Sequence, residues 1–205
     1  AGFLSQADAS AGVRAALERG AVAAVGLLGK QDGFLGNPKV RIGLPGYLED
    51  AAKVMKSMGQ GKRIDELVTS INRAAEAAVP LGKDILVQAV QSMSVTDAKN
   101  ILTGGDTSVT EFFVTKTRAP LSERFLPVVN KATENVGLTQ KSNAFAGKAA
   151  SFGLLKPEES NLAGYVTGKT LDGLFFMIGE EERKIRQNPA GAGSAVLQRV
   201  FGALR

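Results

Sequence analysis

The sequence predicts an all-α protein: one compact bundle of about eight to ten helices over residues 1–205, with a single extended strap near residues 37–45. Three observations predict it. Apolar residues recur at three- and four-residue spacing in segment after segment. The turns between these segments are short and marked by glycine or proline, which favours antiparallel neighbours. No linker is long enough to divide the chain, and no period of 20 to 50 residues repeats along it.

The elements follow in order. Ser5 and Asp8 form a capping arrangement for a first helix over about 6–28, carried by Val13, Ala16, Leu17, Ala24, Leu27 and Leu28, whose GAVAAVG stretch suits close helix approach. Residues 30–46 hold glycines and prolines that no helix can run through; within them KVRIGL sets Val40, Ile42 and Leu44 on one side and Lys39 and Arg41 on the other. YLEDAAKVMKS ended by Gly59, and KRIDELVTSINRAAEAAV ended before Pro80, are amphipathic helices. LGKDILVQAVQSM is a third, with Ile85, Leu86, Ala89, Val90 and Met93 in one stripe, and Ser94 with Asp97 caps a short VTDAKNIL helix stopped by Gly104 and Gly105. Thr107 or Ser108 caps TSVTEFFVTKTRA. Pro120 marks a break or a new first turn, and Pro127 predicts a kink in the segment that follows. A short helix near 140–150, a long central helix over about 161–188 and a last one in SAVLQRVFGAL complete the bundle.

Composition narrows the chemistry. The chain of 205 residues can bury about 70% of its unfolded surface, and 44% apolar with 22% charged residues is ordinary globular usage. It contains no Cys, His or Trp. Disulfides, thiolate metal sites, a thiol nucleophile, the usual neutral-pH base and a Ser-His-Asp triad are therefore excluded. Neither a cofactor nor a metal is expected, and the balance leans away from an enzyme. The net charge of +5 is spread out, with seven basic and five acidic groups in the first sixty residues, nine of each up to residue 135, and nine against six thereafter. Nucleic-acid binding, which needs a concentrated basic footprint, is disfavoured. No apolar run approaches the roughly 20 residues of a transmembrane helix. The start AGFLSQADAS lacks an initiator methionine, so the sequence is expected to be the processed product of a targeted precursor, periplasmic if bacterial and organellar if eukaryotic.

Several residues are candidate sites. On the long helix, LDGLFFMIGEEERKIR joins five apolar residues to three glutamates. An apolar run that points in every direction belongs in a core, exposed on at most one side. Phe175, Phe176 and Met177, with Phe112, Phe113 and Phe125, form the candidate ligand or partner surface. Tyr165, Lys169 and Asp172 share one helix face and read as a polar network; Tyr and Lys at four-residue spacing also match the pair of short-chain dehydrogenases, but no dinucleotide loop accompanies them. Glu180, Glu181 and Glu182 diverge by about 100° per residue and cannot converge on one ion, so they are expected as a solvated helix end pairing Glu180 with Lys184 and Glu182 with Arg186. A carboxylate site would need a partner such as Glu76 or Asp65. Lys39 and Arg41 in the strap are candidate anion contacts. The GKT at Gly168–Thr170 lacks the upstream spacing of a phosphate loop.

The segments DGFLGNPKVRIGLP, RAAEAAVP, VGLT, LDGLFFMI with its EEE, and IRQNP leading to SAVLQRVFG together resemble, in order, the family called domain of unknown function 4197. The resemblance runs from about residue 12 to the C-terminus, and the NPxxRI and DGLF elements carry most of its specificity. Gly43 departs from it, standing where members usually have proline. The resemblance implies an all-helical protein, often made with an export signal in bacteria and present in photosynthetic eukaryotes. It implies no activity and no catalytic residues. The leading expectation is a non-enzymatic helical module that binds a partner protein or acts as an accessory subunit of an assembly, with a homo-oligomer as the other partner expectation. The alternatives are a carrier of a hydrophobic small molecule or lipid, with the phenylalanines lining a cavity, and a histidine-independent hydrolase using Tyr165, Lys169 and Asp172.

Overall fold

The computed structural model describes residues 6–105, 107–133 and 161–187, with side chains from residue 10 onward. Every regular element among them is helical, with no strand. The chain groups into two compact units, residues 1–27, 82–121 and 174–205 in one, residues 28–81 and 122–173 in the other. The helices expected near 140–150 and in SAVLQRVFGAL, and the Ser5 cap, lie outside the described residues. The expected total of eight to ten helices is therefore not reached by counting.

Helix α1 (Gln6–Leu28) has the expected limits. Its buried row is Val13, Ala16, Leu17, Ala21, Ala24, Val25 and Leu28. Small residues bring it close to a neighbour only moderately: a Cβ at Gly20 would lie 3.8 Å from Glu181 Cβ, an ordinary contact, and one at Gly26 would meet nothing. Helices α2 (Gly46–Ser57) and α3 (Gly61–Ala78) form a hairpin. Gly59, at φ 79°, lets the Gly59 N–H bond Lys56 O and the Gln60 N–H bond Met55 O, the two bonds of a Schellman closure. A short 3₁₀ turn (Val79–Gly82) carries Pro80 into α4 (Lys83–Gln91). In α5 (Val95–Thr103) the Ser94 hydroxyl accepts the Asp97 N–H and the Asp97 carboxylate accepts the Ser94 N–H, the reciprocal capping box the sequence predicts.

Helix α6 (Ser108–Thr133) corrects the break expected at Pro120, because one helix runs through both Pro120 and Pro127. Each proline frees the carbonyl four residues back, on Lys116 and Glu123. Lys116, Pro120, Glu123 and Pro127 are all exposed, so water can satisfy those carbonyls. The row of Phe113, Thr117, Leu121, Phe125, Val129 and Thr133 is buried. Steps of four advance about 40° beyond a full turn, so this row winds around the helix. Helix α7 (Leu162–Gln187) ends one residue inside each expected limit.

Candidate functional site

Residues 30–45 are shaped by two polar side chains of α3. Residues 31–36 run through turns in which Asp32 takes a left-handed conformation at φ 65°, tolerable for aspartate. This turn aims three backbone N–H groups at one carboxylate. Glu76 Oε1 accepts from Asp32 at 3.2 Å, and Oε2 accepts from Phe34 at 3.1 Å and Leu35 at 3.0 Å. Arg73 donates to the same carboxylate at 2.8 Å and reaches Asp32 at 3.0 Å. Burial pushes the Glu76 carboxyl up, but the Leu35 N–H, the Arg73 guanidinium and the Phe34 N–H outweigh it, and the group ends below its usual 4.5. Arg73 is correspondingly raised, chiefly by its hydrogen bond to Glu76.

Asn72 holds the next segment. Its Oδ1 accepts the Ile42 N–H and its Nδ2 donates to Ile42 O, both at 2.8 Å, while Nδ2 also donates to Val68 O. A side-chain amide thus supplies the two bonds a neighbouring strand would give. The expected strap over 37–45 is corrected at its start, where residues 38–40 form a turn and the Val40 and Arg41 N–H groups both bond Asn37 O; residues 41–45 follow without regular structure, with Val40 and Ile42 buried and Lys39 and Arg41 exposed. Tyr165 donates to Gly43 O at 3.2 Å.

Between this strap, α2 and the start of α3 lies an open groove of about 570 Å³. Leu44, Ala52, Ile64 and Val68 supply apolar lining, and Arg41, Lys53, Lys56, Glu49 and Asp65 supply charge. Arg41 is thus placed at a groove as an anion contact would require, whereas Lys39 is not among its lining residues. A second hollow of about 410 Å³, at the turn between α5 and α6, is lined by polar residues, among them Asn100, Thr107, Ser108 and Glu111, together with Phe112 and Ile101.

The candidate aromatic surface is mostly interior. Phe113 and Phe125 are fully buried, Phe175 and Met177 are buried, and Phe112 packs edge-on against Phe113 with centroids 5.5 Å apart. Phe176 alone of the six is exposed, at 43%. Phe125 belongs to one unit and the other five to the other. In the polar network, Lys169 Nζ lies 5.8 Å from the Tyr165 ring centroid, a cation–π arrangement, and Asp172 is exposed on the same helix. Burial, with Tyr47 and Glu49 nearby, pushes the Tyr165 phenol up, opposite to the lowering that the dehydrogenase pair depends on.

The glutamate run needs correction. Glu180 pairs with Arg183 at 2.7 Å and Glu181 with Lys184 at 3.0 Å, both three residues apart, so the expected Glu180–Lys184 pair does not form. Glu182 pairs with Arg186 as expected, but it is buried rather than solvated, and Arg186 also reaches Ile101 O at 3.3 Å. No cluster of three carboxylates able to hold a metal occurs among the described residues. Among them, too, no helix is long and apolar enough to cross a membrane. Sequence reading missed Asn72 as a structural residue and saw Glu76 only as a carboxylate partner. The signal was there: both lie beside the apolar row Ile64, Leu67, Ile71, Ala75 and Ala78 of α3, where a polar side chain must be satisfied internally.

The family model described as "Protein of unknown function (DUF4197)" matches residues 3–202. The chain belongs to this family. Neither the curated proteins nor the solved structures contain a match. At Gly43 nothing lies within 4 Å of where a Cβ would stand, so the position has room for a larger residue.

Proposed function

We propose that this DUF4197 protein is a non-enzymatic helical module that works by binding a partner protein or a second copy of itself. The observation that carries this reading is how the fold uses its perturbed ionisable groups. A general acid or base must exchange its proton near neutral pH. Glu76 is instead lowered, Arg73 raised and Tyr165 raised, so each is held deeper in its resting state. Their hydrogen-bonding capacity goes into fixing residues 32–43. Such groups support a rigid scaffold rather than a reaction centre.

Light scattering on the purified chain, together with cross-linking in its native extract, tests the reading. A defined oligomer or a reproducible partner is expected; a clean monomer that retrieves nothing would overturn it. The carrier reading draws less support, since Phe113, Phe125 and Phe175 are packed in the interior and the hollow beside Phe112 has only Ile101 as a second large apolar side chain in its lining. Native mass spectrometry after mild extraction separates the two, because a carrier would retain a copurifying lipid. For the hydrolase reading the discriminating change is Lys169→Ala, which would abolish a hydrolytic activity that depended on the Tyr165–Lys169 pair.

A further inference from the structure

We infer that the groove between the strap, α2 and the start of α3 docks a short acidic segment of a partner protein, one that carries aliphatic side chains beside its carboxylates. The inference rests on the interaction reading above and names its surface and the partner's chemistry. Three of the five charged side chains lining the groove are basic: Arg41 from the strap, Lys53 and Lys56 from α2. Neither these nor Glu49 and Asp65 make an ion pair among the described residues. The cations are therefore available to an incoming anion. Arg41 can hold a carboxylate with two parallel N–H bonds, while the lysines act as point charges.

The rest of the groove selects among anions. Leu44, Ile64 and Val68 give it an apolar lining that a purely ionic ligand would leave uncovered. Glu49 and Asp65 repel a uniformly charged polyanion such as nucleic acid, and set the register of one whose carboxylates are spaced. Its volume of about 570 Å³ falls within the usual range for ligand sites, but it is open rather than enclosed. An open trough suits a chain segment laid along it better than a small molecule that must be surrounded.

The walls also differ in firmness. Asn72 fixes the strap at Ile42, next to Arg41, and Glu76 fixes the turn before it, so that side is organised before binding. Helix α2 buries only Leu48 and Ala52 of its 12 residues, which leaves the wall bearing Lys53 and Lys56 able to adjust to the segment.

The test pans a random-peptide phage library against the full chain and against the triple variant Arg41→Glu, Lys53→Glu, Lys56→Glu. All three residues are exposed, so the helical circular dichroism of the variant should match that of the parent. Peptides enriched on the parent should interleave Asp or Glu with Leu, Ile or Val. A synthetic copy of the dominant peptide should bind about tenfold or more weakly to the triple variant, and more weakly to the parent in raised salt. Arg41→Gln, which removes charge without reversing it, should give a smaller loss in the same direction. No enrichment, enrichment without acidic bias, equal binding by the triple variant, or displacement of the peptide by sodium dodecanoate would each overturn the assignment. If cross-linking still retrieves a partner when the selection fails, the groove assignment falls and the interaction reading stands.

Discussion

Asn72 does the most with one side chain, since its amide alone satisfies the buried N–H and C=O of Ile42. Asn72→Ala leaves both unpaired, each unsatisfied group costing about 1–3 kcal/mol, so a loss of about 2–6 kcal/mol in urea unfolding is expected. Val40 and Ile42 should loosen with it, visible as faster amide exchange across the strap. Two glycines of α7 make the opposite point about backbone. A Cβ on Gly173 would lie 2.9 Å from the Phe34 ring and 3.3 Å from Val40 Cβ, and Phe34 is fully buried. Gly173→Ala should therefore destabilise by about 1–3 kcal/mol despite its better helix propensity. At Gly168 nothing lies within 4 Å, and Gly168→Ala should stabilise by up to about 1 kcal/mol. Thermal melts of the pair, one residue type on one helix, should shift in opposite directions.

Helix α6 shows what an element tolerates when its buried side is sound. A proline inside a helix costs about 3 kcal/mol relative to alanine. Both prolines are exposed while the winding row from Phe113 to Thr133 is buried, and the helix stays continuous through both. Pro120→Ala should recover part of that cost, offset by the looser unfolded chain, for a net stabilisation of about 1–2 kcal/mol and a higher Tm. A fall in Tm would mean that the ring itself packs. The helix ends that sequence placed best, at Gly59 and Ser94, are those whose stop or start signals are local: a left-handed glycine and a reciprocal cap.

For the molecule as a whole, the Glu76 cradle ties stability to pH. Because the folded carboxyl is lowered below its usual 4.5, its contribution is complete above that value and is lost as the pH falls through the folded value. Acid unfolding of the parent should therefore include a loss of stability beginning below about pH 5. Glu76→Gln should be less stable at neutral pH and should lack that part of the acid dependence, measured by urea unfolding at a series of pH values. An unchanged pH profile would show that Glu76 does not carry it. The same cradle explains how residues 30–45, with no ladder of their own, hold a fixed course.

Local rules sufficed wherever the information was local. Helical periodicity gave α1 and α7 nearly to the residue, alternation in KVRIGL gave the inward Val40 and Ile42, and the missing histidine and cysteine removed whole classes of chemistry. What needed the folded chain was everything set by partners distant in sequence. Whether Glu182 is solvated, whether Gly173 has room for a methyl group, and whether Pro120 breaks a helix all depend on what packs there. The groove is the clearest case. Arg41, Lys53 and Asp65 share no local pattern, and they line one surface because Asn72 and Glu76 hold the strap against α3, where the energy of satisfying buried backbone groups outweighs the entropy of an irregular segment.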